Sequence, residues 1–182
     1  MARDEFNAVT DFWFNECEPI QWWQKSESFD RIVEQRFLPL LELAIEKQLD
    51  HWRSDPQGRL AEIILLDQFS RNIWRNTAQA FAQDPQALAL AEQAVHCGAD
   101  KTLPINQRAF IYMPFMHSES ISAHEKAVVL FSQPGLERNL HSELQHKAII
   151  ERFGRYPHRN ATLGRNSSQE ELEFLTLPGS SF

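Results

Sequence analysis

The chain has 182 residues, 42% of them hydrophobic, with thirteen Phe and five Trp, enough to bury a core and too rich in large rings for a disordered segment. One domain over residues 1–182 is the expectation for this length. A formal net charge of -7 repels polyanions, so neither nucleic acid nor an anionic membrane surface is an expected partner.

Phe6, Val9 and Trp13 recur at three- and four-residue steps, which predicts a short helix between Glu5 and Glu16, followed by a loop carrying Trp22 and Trp23. From Ser28 to about Gln48 the series Phe29, Ile32, Val33, Phe37, Leu40, Leu41, Ala44 and Ile45 fits one helix face, with a kink expected at Pro39. Asp55-Pro56 reads as an N-cap and first-turn proline opening a helix toward Trp74, and Asp84-Pro85 repeats that signal for a helix ending at Gly98. Pro104 opens another. Ser122-Ala123-His124-Glu125 and Ser167-Ser168-Gln169-Glu170 match the capping-box pattern, and Leu136 to Phe153 is helical in spacing with Gly154 as terminator.

These signals predict about eight helices with short connections and no run of alternating β-branched residues. The expected class is all-α, built of antiparallel hairpins, either as a layered array of helix pairs or as an irregular bundle. No internal repeat decides between them.

Three polar segments stand out. In Asp67-Gln68-Phe69-Ser70-Arg71-Asn72 the four-residue spacing stacks Asp67 on Arg71, with Arg75 continuing the line. Such a carboxylate orients a guanidinium for bidentate binding of phosphate or carboxylate; structurally, the same pair is an intrahelical salt bridge. In Tyr112-Met113-Pro114-Phe115-Met116-His117-Ser118-Glu119, His117 is a general acid or base, and Glu119 could hold its tautomer only if the helix breaks there, since residues two apart do not face each other. The alternative is a histidine complementing a helix C-terminus. The third segment runs Phe153-Gly154-Arg155-Tyr156-Pro157-His158-Arg159-Asn160 and on through Leu163-Gly164-Arg165. Between Arg138 and Arg165 six basic residues face two acids, a local positive patch in an acidic chain. Its glycines and proline suggest a structured turn aiming several guanidiniums at one anion; otherwise these arginines bridge to acidic surface. His146 reads as a core or boundary histidine, and His51, His96, His124 and His141 are given no role.

Cys17 and Cys97 are too few for a disulfide framework and lack metal-type spacing, which reads as free thiols in a reducing cytosol. The charged opening Met1 to Glu5 does not resemble a secretion signal, and no apolar run reaches membrane-spanning length, so a cytoplasmic location is expected. No cofactor is indicated. A metal site is not expected either, because His117 and Glu119 supply two ligands and would need a distant third such as His158.

The stretches Asp11-Phe12-Trp13-Phe14, Trp22-Trp23, Asp67 to Asn72, Ala80 to Asp84, His117-Ser118-Glu119, Phe153 to Asn160 and Leu163-Gly164-Arg165 resemble the bacterial domain-of-unknown-function family 924 over nearly the whole chain. Ser70 departs from it, since related chains commonly carry proline there. The resemblance implies a tetratricopeptide-like helical fold and supplies no substrate, cofactor or mechanism.

From the residues themselves, His117, Glu119 and His158 are the catalytic candidates, and Asp67, Arg71, Asn72, Arg155, Arg159, Asn160 and Arg165 are the ligand-binding candidates, all around one pocket for a small anionic metabolite. The alternatives are a helical-hairpin module that binds a peptide or protein without chemistry, and a buried polar network that only specifies the fold. Oligomeric state is left open, with Trp22 and Trp23 equally suited to this core or to another subunit.

Overall fold

Helix α1, Ala2–Asp11, carries Phe6 and Val9 to its buried face and continues into a π turn, Phe12–Glu16, that buries Phe12 and Trp13. The computed structural model describes the backbone of residues 2–182 and the side chains from residue 5 onward, so Met1 and the side chains of residues 2–4 lie outside the described set. Helix α2, Glu27–Ile45, starts where the Ser26 hydroxyl accepts the Phe29 amide, and it continues past Pro39 without ending. Its inner face is Phe29, Val33, Phe37, Leu41 and Ala44; Ile32, expected on that face, points to solvent.

Helix α3, Pro56–Ile64, opens under an Asp55 side-chain cap on the Gln57 amide, then passes through a second π turn, Leu65–Phe69, into the one-turn helix α4, Ser70–Ile73. After the one-turn α5, Gln79–Ala82, helix α6 spans Asp84–His96, and Gly98 follows it at φ +73. Helices α7, Ile105–His117, α8, Ile121–Phe131, and α9, Glu137–Phe153, come next, α9 closing on Gly154 at φ +69. Helix α10, Gln169–Leu175, completes the series.

Three start signals differ from expectation. Asp84 makes no cap, because its carboxylate is drawn away to two arginines. Ser122 lies inside α8, whose N-cap is Ser120, and Ser122 hydrogen-bonds that residue's hydroxyl instead. The second capping box is real but one residue later, between Ser168 and Glu171.

Among the described residues there are eight helices of seven residues or more and no strand. Helices α6 to α9 pack as successive antiparallel hairpins, α1 lies on α3, and α2 lies along the π turn and α4. Their shared core is aromatic: Trp13 meets Phe69 and Phe110 edge-on, and Phe37 packs on both Phe12 and Phe69. Trp22 belongs to this core, donating its indole N–H to the Trp13 carbonyl at 2.9 Å, whereas its neighbour Trp23 is 60% exposed. A smaller cluster of Ile149, Ile150 and Tyr156 sits under α9 and α10. Gly58 sits so close to Trp52 that a β-carbon there would lie 2.2 Å from the Trp52 carbonyl oxygen. Among the described residues no helix is long and apolar enough to cross a membrane.

Candidate functional site

The π turn Leu65–Phe69 widens the helix where Asp67 and Gln68 point inward, a local departure from α geometry that often accompanies functional sites. Asp67 is 1% exposed, and three groups hold its carboxylate. His117 Nδ1 lies 2.7 Å from Oδ1, Arg71 Nη1 donates to the same oxygen at 3.2 Å, and Gln68 Nε2 donates to Oδ2 at 2.5 Å. Burial alone would raise the Asp67 carboxyl, but His117 and Arg71 overcome it and hold it down to about 2, so it is ionised.

His117 is the last residue of α7. Burial lowers its pKa against the pull of Asp67, which favours a neutral ring with Nδ1–H donated to the carboxylate. Nε2 then carries the lone pair. It has no hydrogen-bond partner among the described residues and is not sealed from solvent, the side chain being 15% exposed.

Beside this pair, Arg71 makes a two-pronged bridge to Asp84, at 2.8 and 3.0 Å, and donates to the Asp67 carbonyl. Arg159 donates to Asp84 at 3.2 Å and to the His117 carbonyl at 2.9 Å. Its guanidinium is stacked between the rings of Phe81 and Tyr156, 4.5 and 4.6 Å from their centroids. Arg159 Nε and His158 Nδ1 are buried with no hydrogen-bond partner among the described residues. Burial, with Arg159 adding to it, takes the His158 ring down to about 4.

Asp67, Arg71, His117 and Arg159 therefore meet in one region, and His158 stands to the side of it, packed on the rings of Tyr156 and Phe182. The other candidates do not join them directly. Asn72 turns away with Arg75 to bind Asp30 on α2. Glu119 does not touch His117: it accepts the Tyr156 amide at 2.8 Å and a two-pronged bridge from Arg165, while Asp67 takes the orienting role. Asn160 accepts from Arg165 and donates to Ser167, and Arg155 clasps Glu171 at the start of α10. These residues fasten the segment after α9 to the end of α7. The basic surplus read between Arg138 and Arg165 is thus matched by acids outside that segment, Asp84, Glu119, Glu170 and Glu171.

Two participants escaped sequence reasoning. In the sequence Asp84 reads as a helix start, and the structure makes it the shared counterion of Arg71 and Arg159. His124, set aside with the other histidines, is fully buried: its Nδ1 meets Glu143 Oε1 at 2.7 Å and its Nε2 meets the Ser118 carbonyl at 2.8 Å. The usable signal was Glu143 itself, a carboxylate on the apolar face of α9 three residues after Leu140, where burial needs a partner. Burial raises the Glu143 carboxyl despite that partner. Among the described residues no cluster of three or more His, Cys, Asp or Glu is arranged to hold a metal ion.

A family model described as a bacterial protein of unknown function (DUF924) matches residues 9–179. A solved structure of a protein of unknown function from Agrobacterium tumefaciens is similar at 36% sequence identity, with a TM-score of 0.92 over 96% of this chain and 98% of that one. No curated protein matches the chain.

Proposed function

Because the chain belongs to the bacterial family of unknown function DUF924, and family membership brings no reaction with it, we propose from the site alone that Asp67, Arg71, His117 and Arg159 bind a small anionic metabolite, with His117 as general base. The observation that carries this reading is His117 held at Nδ1 by the buried Asp67 while Nε2 is unengaged and reachable by solvent. A buried carboxylate fixes the tautomer and ring orientation and stabilises the imidazolium that forms when Nε2 takes a proton from a substrate or a water. The unpartnered Arg159 Nε supports an acceptor oxygen bound beside that guanidinium, since a buried donor left unmade costs about 1–3 kcal/mol.

Charge sets the terms. Arg71 and Arg159 are balanced by Asp67 and Asp84, so an entering carboxylate or phosphate competes with Asp84 for guanidinium N–H groups. The test is a thermal-shift screen of phosphorylated and carboxylated metabolites, repeated on variants. A true ligand raises the melting temperature of the parent, more so in Asp84→Asn, and not in Arg71→Lys, whose point charge loses the planar fork. Turnover of that ligand falls in His117→Gln while binding persists. A screen in which no anion stabilises the parent, or in which hits are indifferent to Arg71, overturns the reading.

A further inference from the structure

A second feature lies away from this site. Helices α6 and α8 both pack on α7 and leave between them an open groove of about 1160 Å³, with Phe115 of α7 in its lining. Glu125, Lys126 and Val129 stand three and four residues apart, so one stripe of α8 forms a wall; Glu92 and His96 do the same on α6. Lys126 and Glu92 already pair across the groove at 2.7 Å. Val129, in the last turns of α8, is 73% exposed, more than any other large hydrophobic side chain among the described residues.

Two charges in the groove, Arg59 and Glu125, make no salt bridge among the described residues, although Glu125 is near enough to Lys147 of α9 to favour that residue's charged form. They lie on different walls, Arg59 on α3 and Glu125 on α8. The Gln57 amide bonds Gln107 at 2.7 Å, which sets the first turns of α3, and Arg59 with them, beside the start of α7. Glu125 is in the opening turns of α8, beside the end of α7, because only residues 118–120 separate the two helices.

We propose that this groove is the interface through which two copies of the chain pair about a twofold axis. A groove with an unbridged cation on one wall and an unbridged anion on another is its own electrostatic complement when a second copy is laid antiparallel on it. Arg59 then meets Glu125 of the partner subunit, the reciprocal pair forms at the other end, and the α8 ridge bearing Val129 enters the opposing slot, removing that side chain from water.

The experiment is sedimentation of the full chain across a concentration series, against a protomer mass of 21.2 kDa. The parent sediments at twice that mass. Val129→Asp, on an exposed side chain, leaves the melting temperature extrapolated to low concentration unchanged and weakens pairing at least about tenfold. Arg59→Glu and Glu125→Arg each weaken it by a similar factor, and the double reversal restores it. A parent that is monomeric throughout, which would leave the groove to a different protein, overturns the proposal. So does a dimer indifferent to Val129→Asp, or one that the double reversal fails to recover.

Discussion

Asp67 and His117 are fifty residues apart in the chain and 2.7 Å apart in the molecule, joined through the Nδ1 of one and the Oδ1 of the other. The contact exists because helix α3 packs on α7, with Gln57 bonded to Gln107 at one end and, from the π turn that follows α3, Asp67 bonded to His117 at the other.

Replacing Asp67 by Asn removes an anion whose carboxyl is held at about 2, below its ordinary 3.8. A carboxyl depressed by folding adds stability that is complete above its unfolded value and disappears as pH falls through its folded one. Asp67→Asn therefore loses about 1–3 kcal/mol at pH 7, the cost of leaving the His117 and Arg71 donors without their anion, and its stability profile is flatter than the parent's between pH 4 and 2. Urea unfolding at a series of pH values reads both. A variant with the parent's acid limb intact means that Asp67 is not the group titrating there.

His146 and His158 are buried, with rings taken down to about 3 and about 4 from an ordinary 6.5, burial being the main cause in each. Unfolded chains take up these protons first, so stability is lost as pH falls below about 6.5 and continues to drop toward the folded values. Each ring contributes a slope of up to about 1.4 kcal/mol per pH unit in that window. His146→Leu should flatten the profile between pH 6 and 4.5, as followed by chemical denaturation; an unchanged slope would assign the loss to other groups.

Gly58→Ala would ordinarily strengthen a helix, yet here the new methyl meets the Trp52 carbonyl oxygen at 2.2 Å, and backbone must move. We expect a loss of about 1–3 kcal/mol rather than a gain. Calorimetric melting of the variant decides the sign.

Glu119→Gln retains the shape of the side chain but weakens the bridge to Arg165 and the acceptor for the Tyr156 amide. Burial raises this carboxyl and Arg165 with the Tyr156 N–H more than offsets it, leaving Glu119 below its ordinary value. The variant should lose about 1–3 kcal/mol and expose the Tyr156 amide to faster hydrogen exchange. Protection at the parent's level would show that Arg165 and the turn hold without it.

The helices were legible because their information is local. Apolar spacing places Val33, Phe37 and Leu41 on one face, Asp55-Pro56 starts α3, and Gly98 and Gly154 take the positive φ that ends α6 and α9. Partnerships were less legible because they are made across the fold. Nothing beside Glu119 in the chain says that Arg165 will claim it, and nothing beside Asn72 points to Asp30. Asp84 shows the two levels in conflict: its position before Pro85 favours capping, but two guanidiniums outcompete the local amides for its charge. The π turn at Leu65–Phe69 left no mark in the apolar pattern, since every residue in it is buried whichever way the turn is wound.

That widened turn sets a rule for length. An α-helix advances about 100° per residue, and a π turn accommodates one residue more than the regular ladder. Excising one residue from 65–69 would let the rod relax into uninterrupted α geometry and leave what lies beyond it nearly in register, because the wide turn had already absorbed the extra residue. Arg71 would stay near Asp84, and Asn72 and Arg75 near Asp30. The cost would fall inside the turn, where the inward aim of Asp67 at His117 depends on the residue removed.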